Sequence, residues 1–148
     1  MPTIERTITT DATPEAVWTY ISDFTTTNEW DPGTVRTTRR SGNGGVGTIY
    51  DNTSKFLGRQ THLVYTVVAS ESPTRIQYRG ENASVTATDT ITLTATGSGT
   101  SVHYSAELAF KGALARIDPL LSLPPLSLPF KRLGDGAEQG LKEGFARL

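Results

Sequence analysis

Two stretches in the second half of the chain alternate strictly between apolar and polar residues. From 84 to 96 every even position is Ser or Thr, whereas the odd positions are Val85, Ala87, Asp89, Ile91, Leu93 and Ala95. From 102 to 110 the inner set is Val102, Tyr104, Ala106, Leu108 and Phe110. A period of two residues predicts strands with one dry and one wet face, as in an antiparallel sheet covered on one side.

Seven segments of the chain are predicted to be strands. Short breaks rich in Gly, Pro, Asn and Ser separate the last six, which implies hairpins because parallel pairs need long crossovers. The predicted strands cover residues 3–10, 35–40, 46–57, 59–70, 74–80, 84–96 and 100–111.

Helices are predicted after the first strand and at the C-terminus. Thr13 can cap a helix that starts at Pro14, and its apolar residues recur at three- and four-residue spacing. From Phe130 onward an apolar arc of roughly 140° contains Phe130, Leu133, Gly134, Ala137, Gly140, Leu141, Gly144, Phe145 and Leu148. The predicted fold class is α+β, a curved seven-stranded antiparallel sheet around a long C-terminal helix, in a single domain spanning 1–148.

Three glycines lie on the inward arc of this helix, although each costs about 1 kcal/mol of helix stability relative to Ala. Gly134, Gly140 and Gly144 allow two explanations. They leave space for a cavity, or they let the helix and the sheet approach closely.

Composition and charge narrow the chemistry. The formal net charge of −1 provides no positive field for nucleic acid. The chain has no Cys, which removes disulfides, thiolate nucleophiles and zinc–sulfur sites. Its two histidines have no carboxylate grouping at metal-ligand spacing, so neither a metal nor a cofactor is predicted. His103 is predicted to face solvent, while both facings of His62 are open.

Other patterns in the chain bear on location and on nucleotide binding. The N-terminus lacks a secretory pattern, and no apolar run approaches the roughly 18 residues of a membrane span, so we expect a soluble cytoplasmic protein without membrane insertion.

Residues 42–47 fit G-x-G-x-x-G, but a strand follows instead of the helix that a dinucleotide site requires. This stretch is therefore interpreted as a hairpin turn.

A family resemblance comes from residues spread over nearly the whole chain: Pro14-Glu15-Ala16-Val17-Trp18, Ile21, Asp23, Trp30, Pro32, Gly99-Thr100, Lys111-Gly112 and the terminal amphipathic helix. With these the sequence resembles the START-like and polyketide cyclase/dehydrase (SRPBCC) superfamily, which has the helix-grip fold of the birch pollen allergen. The resemblance implies a cavity between sheet and helix that binds a hydrophobic small molecule, a lipid or polyketide-like compound. The alternative is a cyclase/dehydratase-type enzyme acting on such a ligand.

Asp89 is the most informative candidate residue, because it interrupts an apolar strand face. A buried carboxylate must be hydrogen-bonded, paired or protonated, so Asp89 either orients a ligand or acts as an acid or base. Otherwise it lies at the sheet rim or pairs with Arg75 or Arg79. The full predicted ligand-binding set is Trp30, Tyr50, Tyr65, Tyr78, Asp89, Tyr104 and Phe110. The aromatic members are alternatively ordinary core, and no catalytic residue is assigned.

The segment 113–130 combines seven aliphatic residues with four prolines, which forbid one continuous helix. Seven aliphatic residues in an irregular segment need cover. Four interpretations are open: a lid over the cavity, a membrane contact during ligand exchange, a homodimer interface, or a loop packed on its own sheet.

Overall fold

The computed structural model describes residues 1–56 and 58–148, and within them it has an antiparallel sheet of seven strands. The elements are β1 (Thr3–Thr10), α1 (Pro14–Ile21), α2 (Thr27–Trp30), β2 (Thr34–Ser41), β3 (Ile49–Phe56), β4 (Arg59–Glu71), β5 (Arg75–Glu81), β6 (Val85–Ala95), β7 (Thr100–Phe110) and α3 (Leu128–Ala146). Short 3-10 turns cover Phe24–Thr26, Gly112–Arg116 and Asp118–Ser122. The strand order is β1-β7-β6-β5-β4-β3-β2, which confirms the predicted meander and fold class.

The largest difference from the predicted bounds is at the β2–β3 hairpin. The strand expected over 46–57 begins only at Ile49, because Gly47 adopts a φ of 92° and the chain is still turning there. The G-x-G-x-x-G stretch thus lies between two antiparallel strands, as the hairpin interpretation required. Leu57, the last residue of that predicted strand, lies outside the described residues.

The N-terminal helix begins as its sequence predicts. The Thr13 Oγ1 accepts a hydrogen bond from the Ala16 amide at 3.2 Å, and Pro14 occupies the first helical position. Val17 and Ile21 are buried beneath the helix. Together with α2, this helix covers one end of the concave face of the sheet.

The inward glycines of α3 serve close approach. A Cβ atom built on Gly140 would lie 2.0 Å from the Trp30 carbonyl oxygen, and one on Gly134 would lie 2.8 Å from Ile4 Cγ2. A Cβ on Gly144 would lie 2.6 Å from the Tyr20 hydroxyl. The first explanation, that these glycines leave space for a cavity, is wrong, because protein atoms already occupy the positions in question.

The inward face of β4 is settled by the register. Leu63, Tyr65 and Val67 are buried, whereas His62 is exposed and lies near Asp51 on the outer face. His103 is also exposed, as predicted. Both histidines therefore lie outside the space between sheet and helix.

Candidate functional site

A cavity of about 310 Å³ lies between the inner face of the sheet and the first half of α3. Its walls are mostly apolar side chains of the sheet and the helix: Ile4, Leu63, Tyr65, Val85, Ala87, Tyr104, Ala106, Leu108, Phe110, Phe130, Leu133 and Ala137. It opens to solvent beside Lys55, Arg59, Ser84 and Leu114, the exposed members of its lining. This is the concave, apolar kind of space that small-molecule sites use.

A second, larger hollow of about 760 Å³ lies at the other end of α3. Its lining includes Thr10, Asp11, Ser98 and Lys142, which are exposed or half-buried polar residues. Among the described residues its one lining carboxylate, Asp11, is exposed, and the hollow is an open surface groove. The chemistry that sequence reasoning pointed to lies in the smaller cavity.

Asp89 points into the smaller cavity from the middle of β6. The residue is 7% exposed, and it lies opposite Tyr78 on β5 and Ala106 on β7. Within residues 1–56 and 58–148, no donor forms a hydrogen bond with its carboxylate, and its oxygens are not sealed from the cavity. Burial, with a smaller contribution from the Asp31 charge, raises the pKa of Asp89 to about 8.

The alternatives to an inward, unpaired Asp89 do not hold. Arg75 approaches Glu71 at 3.6 Å, and Arg79 approaches Glu81 at 2.9 Å, so both cations have partners elsewhere. Asp89 is also far from the sheet rim, since β5 and β7 flank it on both sides. The predicted inward facing of Asp89 is therefore confirmed, while its role toward a ligand stays a prediction.

Asp31 is a second carboxylate of the cavity that sequence reasoning missed. It follows α2, where its Oδ1 accepts a bond from the Gly33 amide at 2.9 Å and its Oδ2 accepts one from the Thr34 hydroxyl at 3.0 Å. Burial raises the pKa of Asp31, and these two bonds partly offset the rise. The only sequence signal was the Asp31-Pro32-Gly33 turn, whose usual explanation is local capping.

Tyr65 and Tyr104 line the cavity on either side of Asp89. Both rings are buried, and in the described part of the chain neither hydroxyl has a hydrogen-bond partner. Burial raises the pKa of each phenol well above its ordinary value, and the nearby Asp89 charge adds to the effect. Both hydroxyls are thus neutral groups that can donate to or accept from a guest.

The other predicted ligand-binding residues divide between cavity and core. Phe110 lines the cavity and packs against Phe130, with ring centroids 6.4 Å apart. Tyr50 and Tyr78 instead surround Phe24 at 5.6 and 4.4 Å, in solid core under α1, and they do not line the cavity. The reason is that α1 and the following turn insert side chains at that end of the sheet.

Trp30 also lies behind the cavity wall and not on it. Its side chain is 3% exposed, and its Nε1 donates to the Thr26 hydroxyl at 3.1 Å. The ring meets Tyr104 edge-on at 5.5 Å. Trp30 therefore supports a residue that lines the cavity, since the Tyr104 ring lies between it and the open space.

The charged residues around the cavity differ between its interior and its opening. Within the described residues, no three His, Asp or Glu side chains are grouped so that they could hold a metal ion. Lys55 and Arg59 stand at the opening, and neither forms an ion pair with the described part of the chain. Exposed positive charge at the opening and the buried Asp89 carboxyl give the cavity two chemically different ends.

None of the helices in the described ranges is both long enough and apolar enough to cross a membrane. The segment between β7 and α3 forms two short 3-10 turns, and five of its aliphatic side chains are 41–56% exposed. Leu114 is the member of this exposed set that reaches the cavity opening.

Comparison with known proteins identifies the family. Residues 1–142 match the model of the family described as polyketide cyclase / dehydrase and lipid transport. The chain belongs to this family. No curated protein matches the sequence. The predicted family resemblance is thereby confirmed over nearly the whole length of the chain.

Solved structures of several other proteins share the fold. The Zhui aromatase/cyclase from Streptomyces sp. R1128 has a TM-score of 0.77 at 14% identity, over 98% of this chain and 93% of that one. The protein TTHA0849 from Thermus thermophilus has a TM-score of 0.79 at 14% identity, over 99% of this chain and 98% of that one. A START superfamily protein from Mycobacterium smegmatis has a TM-score of 0.75 at 13% identity, over 99% of both chains.

At these identities the structural likeness establishes the helix-grip fold and nothing finer. Family and fold are consistent with hydrophobic ligand binding or with a cyclase-type role. The choice between the two depends on the cavity of this chain.

Proposed function

We propose that the protein binds an apolar small molecule in the 310 Å³ cavity, with Tyr65, Tyr104 and Phe110 as walls and Asp89 fixing the orientation of the guest. An apolar cavity that opens to solvent encloses a buried carboxylate without a protein partner among the described residues. The cavity walls are supported by three side chains that pack behind them, Trp30, Tyr50 and Tyr78.

The size of the cavity limits the guest. An engineered cavity of about 150 Å³ in another protein is filled by one benzene molecule. At about 310 Å³, this cavity has room for two such rings or for a medium-length alkyl chain. A longer lipid would extend past Lys55 and Arg59 into solvent.

Filling the cavity is expected to weaken binding without unfolding the protein. Ala87 lines the cavity and is 2% exposed, so a phenyl ring at this position would occupy about half of the space. The neutral fluorophore N-phenyl-1-naphthylamine is expected to place its naphthyl group in the cavity and its phenyl ring at the opening. We expect Ala87→Phe to weaken its binding at least about tenfold, which corresponds to roughly 1.4 kcal/mol. Fluorescence titration measures the affinity, and circular dichroism checks the fold.

Ala95→Phe is the matched control for this experiment. Ala95 lies on the same strand and in the same alternation, but it is exposed at the strand end. Its substitution should leave the affinity of the fluorophore unchanged. Equal binding by wild type, Ala87→Phe and Ala95→Phe would show that the fluorophore does not enter the cavity, and the proposal would be wrong.

A cyclase/dehydratase-type activity is the second candidate function, and one observation favours it. The pKa of Asp89, about 8, lies close to neutral pH, where a carboxyl group can both take up and release a proton. Two neutral phenols, Tyr65 and Tyr104, face the same space. This candidate requires turnover of the bound molecule, whereas the first requires only binding. The cytoplasmic location stays a prediction with either function.

The homodimer through residues 113–130 also stays a prediction, supported by its exposed aliphatic side chains. If a second copy covers them, light scattering should give twice the mass of one chain at micromolar concentration. Leu120→Glu, combined with Leu123→Glu, should return the mass to that of one chain, because both residues are at least 50% exposed. Val46→Glu, in the exposed β2–β3 loop, is the control that keeps the dimer. If wild type has the mass of one chain at this concentration, the predicted homodimer is wrong.

A further inference from the structure

We infer that the preferred guest of the cavity is an apolar molecule that carries one protonated amine, which Asp89 and Asp31 bind from two sides. This inference rests on the proposed function and names its ligand class. The charged residues that line the cavity are unevenly distributed between its interior and its opening. Two carboxylates line the cavity, Asp89 buried and Asp31 half-buried, and the cations that line it, Lys55 and Arg59, are exposed at the opening.

The hydrogen-bonding capacity of the two carboxylates fits an ammonium group. Each carboxylate can accept about four hydrogen bonds. Within the described residues Asp31 accepts two, from Gly33 and Thr34, and Asp89 accepts none. An ammonium group brings three donors and a positive charge, so it can bond to both carboxylates and still reach a phenol oxygen.

Other head groups fit less well. A carboxylate guest would add negative charge beside two acidic groups in a space of low polarity, which is unfavourable unless protons are taken up. An alcohol has one donor and no charge, so it leaves most acceptor sites of Asp31 and Asp89 unused. The apolar walls do not distinguish among the three guests, because an alkyl chain is common to all of them.

The pH dependence follows from the groups that face Asp89. These are Asp31 from the turn after α2, Tyr65 from β4, Tyr78 from β5 and Tyr104 from β7, whereas α3 contributes the apolar Leu133 and Ala137. Without a guest, Asp89 holds its proton below pH 8. Binding of an ammonium ion releases that proton to solvent and leaves an ion pair. Amine affinity should therefore rise from pH 6 to pH 8, by up to about tenfold per pH unit, and then level off.

The test is competition against N-phenyl-1-naphthylamine by three guests with the same chain: decylamine, 1-decanol and decanoate. At pH 8 we expect decylamine to bind at least tenfold more tightly than decanol, and decanoate to bind most weakly. Asp89→Asn should lower the ratio of amine to alcohol affinity about tenfold and remove most of its pH dependence. Asp135→Asn, on the exposed face of α3, should leave the ratio unchanged.

The outcomes separate this inference from the proposed function. Equal affinities for amine and alcohol, a preference for decanoate, or an amine preference that survives Asp89→Asn would each overturn the amine inference while cavity binding stands. If the fluorophore does not bind, or binds equally to Ala87→Phe, the proposed function fails, and the amine inference fails with it.

Discussion

Replacing Asp89 by Asn is expected to raise the free energy of unfolding by several kcal/mol relative to wild type at pH 8. At pH 4 the same substitution should change the free energy of unfolding little. The reason is the raised pKa of Asp89, about 8 in the folded protein, against about 3.9 in an unfolded chain. Between these values the folded protein keeps a proton that the unfolded chain has released. Rising pH therefore favours the unfolded chain, by about 1.4 kcal/mol per pH unit.

Asn at position 89 has the shape of the protonated acid and cannot ionise, so this contribution to the pH dependence disappears. Any constant cost of the amide group cancels when the two pH values are compared. Urea unfolding of wild type and Asp89→Asn at pH 4, 6 and 8 measures the difference. Asp31 keeps its own raised pKa, so some decline of stability with pH should remain in the variant.

Asp51→Asn is the control with the opposite expectation. Asp51 lies on the outer face, where a hydrogen bond from Arg40 holds its pKa below the ordinary value. Its loss should not stabilise the protein at pH 8. If Asp89→Asn has the same pH profile as wild type, Asp89 is ionised in the folded protein, and the environment described for it is wrong.

The expected stabilisation bears on function as well as on folding. An unpaired carboxylate in an apolar cavity weakens the fold at neutral pH, and an uncharged residue at position 89 would avoid that cost. Sites of this kind, where a group is kept at the expense of stability, are candidates for function. A guest that supplies a cation or a donor would offset the cost when it binds.

The alternation of strand residues was sufficient to predict the sheet and the inward side of Asp89. Ser and Thr at every even position from 84 to 96 leave one register in which the apolar side chains are covered. The C-terminal helix was equally clear, because its polar and apolar residues separate onto two faces. These are local patterns, and the hairpin topology follows from short connections.

The same alternation could not separate the cavity from the core. Tyr78 and Tyr104 both point inward from neighbouring parts of the sheet, yet Tyr78 packs on Phe24 while Tyr104 lines open space. The difference depends on where α1 and its following turn lie over the sheet, which is a long-range contact. The hydrogen bond from the Tyr78 hydroxyl to the Ile21 carbonyl, 2.7 Å long, joins residues far apart in sequence.

Asp31 was missed for a related reason. Its position before Pro32 and Gly33 has a complete local explanation as a turn, and both of its oxygens do accept local hydrogen bonds. Only the packing of this turn beside the first half of α3 brings the carboxylate to the cavity. The contact between α2 and α3 at Gly140 is what positions that turn.

Gly140→Ala is accordingly expected to destabilise the protein by about 1–3 kcal/mol, the usual range for overpacking. In an unobstructed helix the same change stabilises by about 1 kcal/mol, so the sign of the effect is diagnostic. Here the new methyl group would lie 2.0 Å from the Trp30 carbonyl oxygen and 2.7 Å from the Trp30 carbonyl carbon. Backbone cannot rotate away as a side-chain tip can, so helix α3 or α2 must shift.

Gly97→Ala is the control for this change, because within residues 1–56 and 58–148 no atom beyond its chain neighbours lies within 4 Å of the position its Cβ would take. Urea unfolding should show a loss for Gly140→Ala and almost none for Gly97→Ala. Since Trp30 directly precedes Asp31, a shift of α2 should also move that carboxylate and weaken amine binding relative to alcohol binding. A Gly140→Ala protein as stable as wild type would mean that α3 lies farther from α2 than described, and the geometry that places Asp31 in the cavity would fail with it.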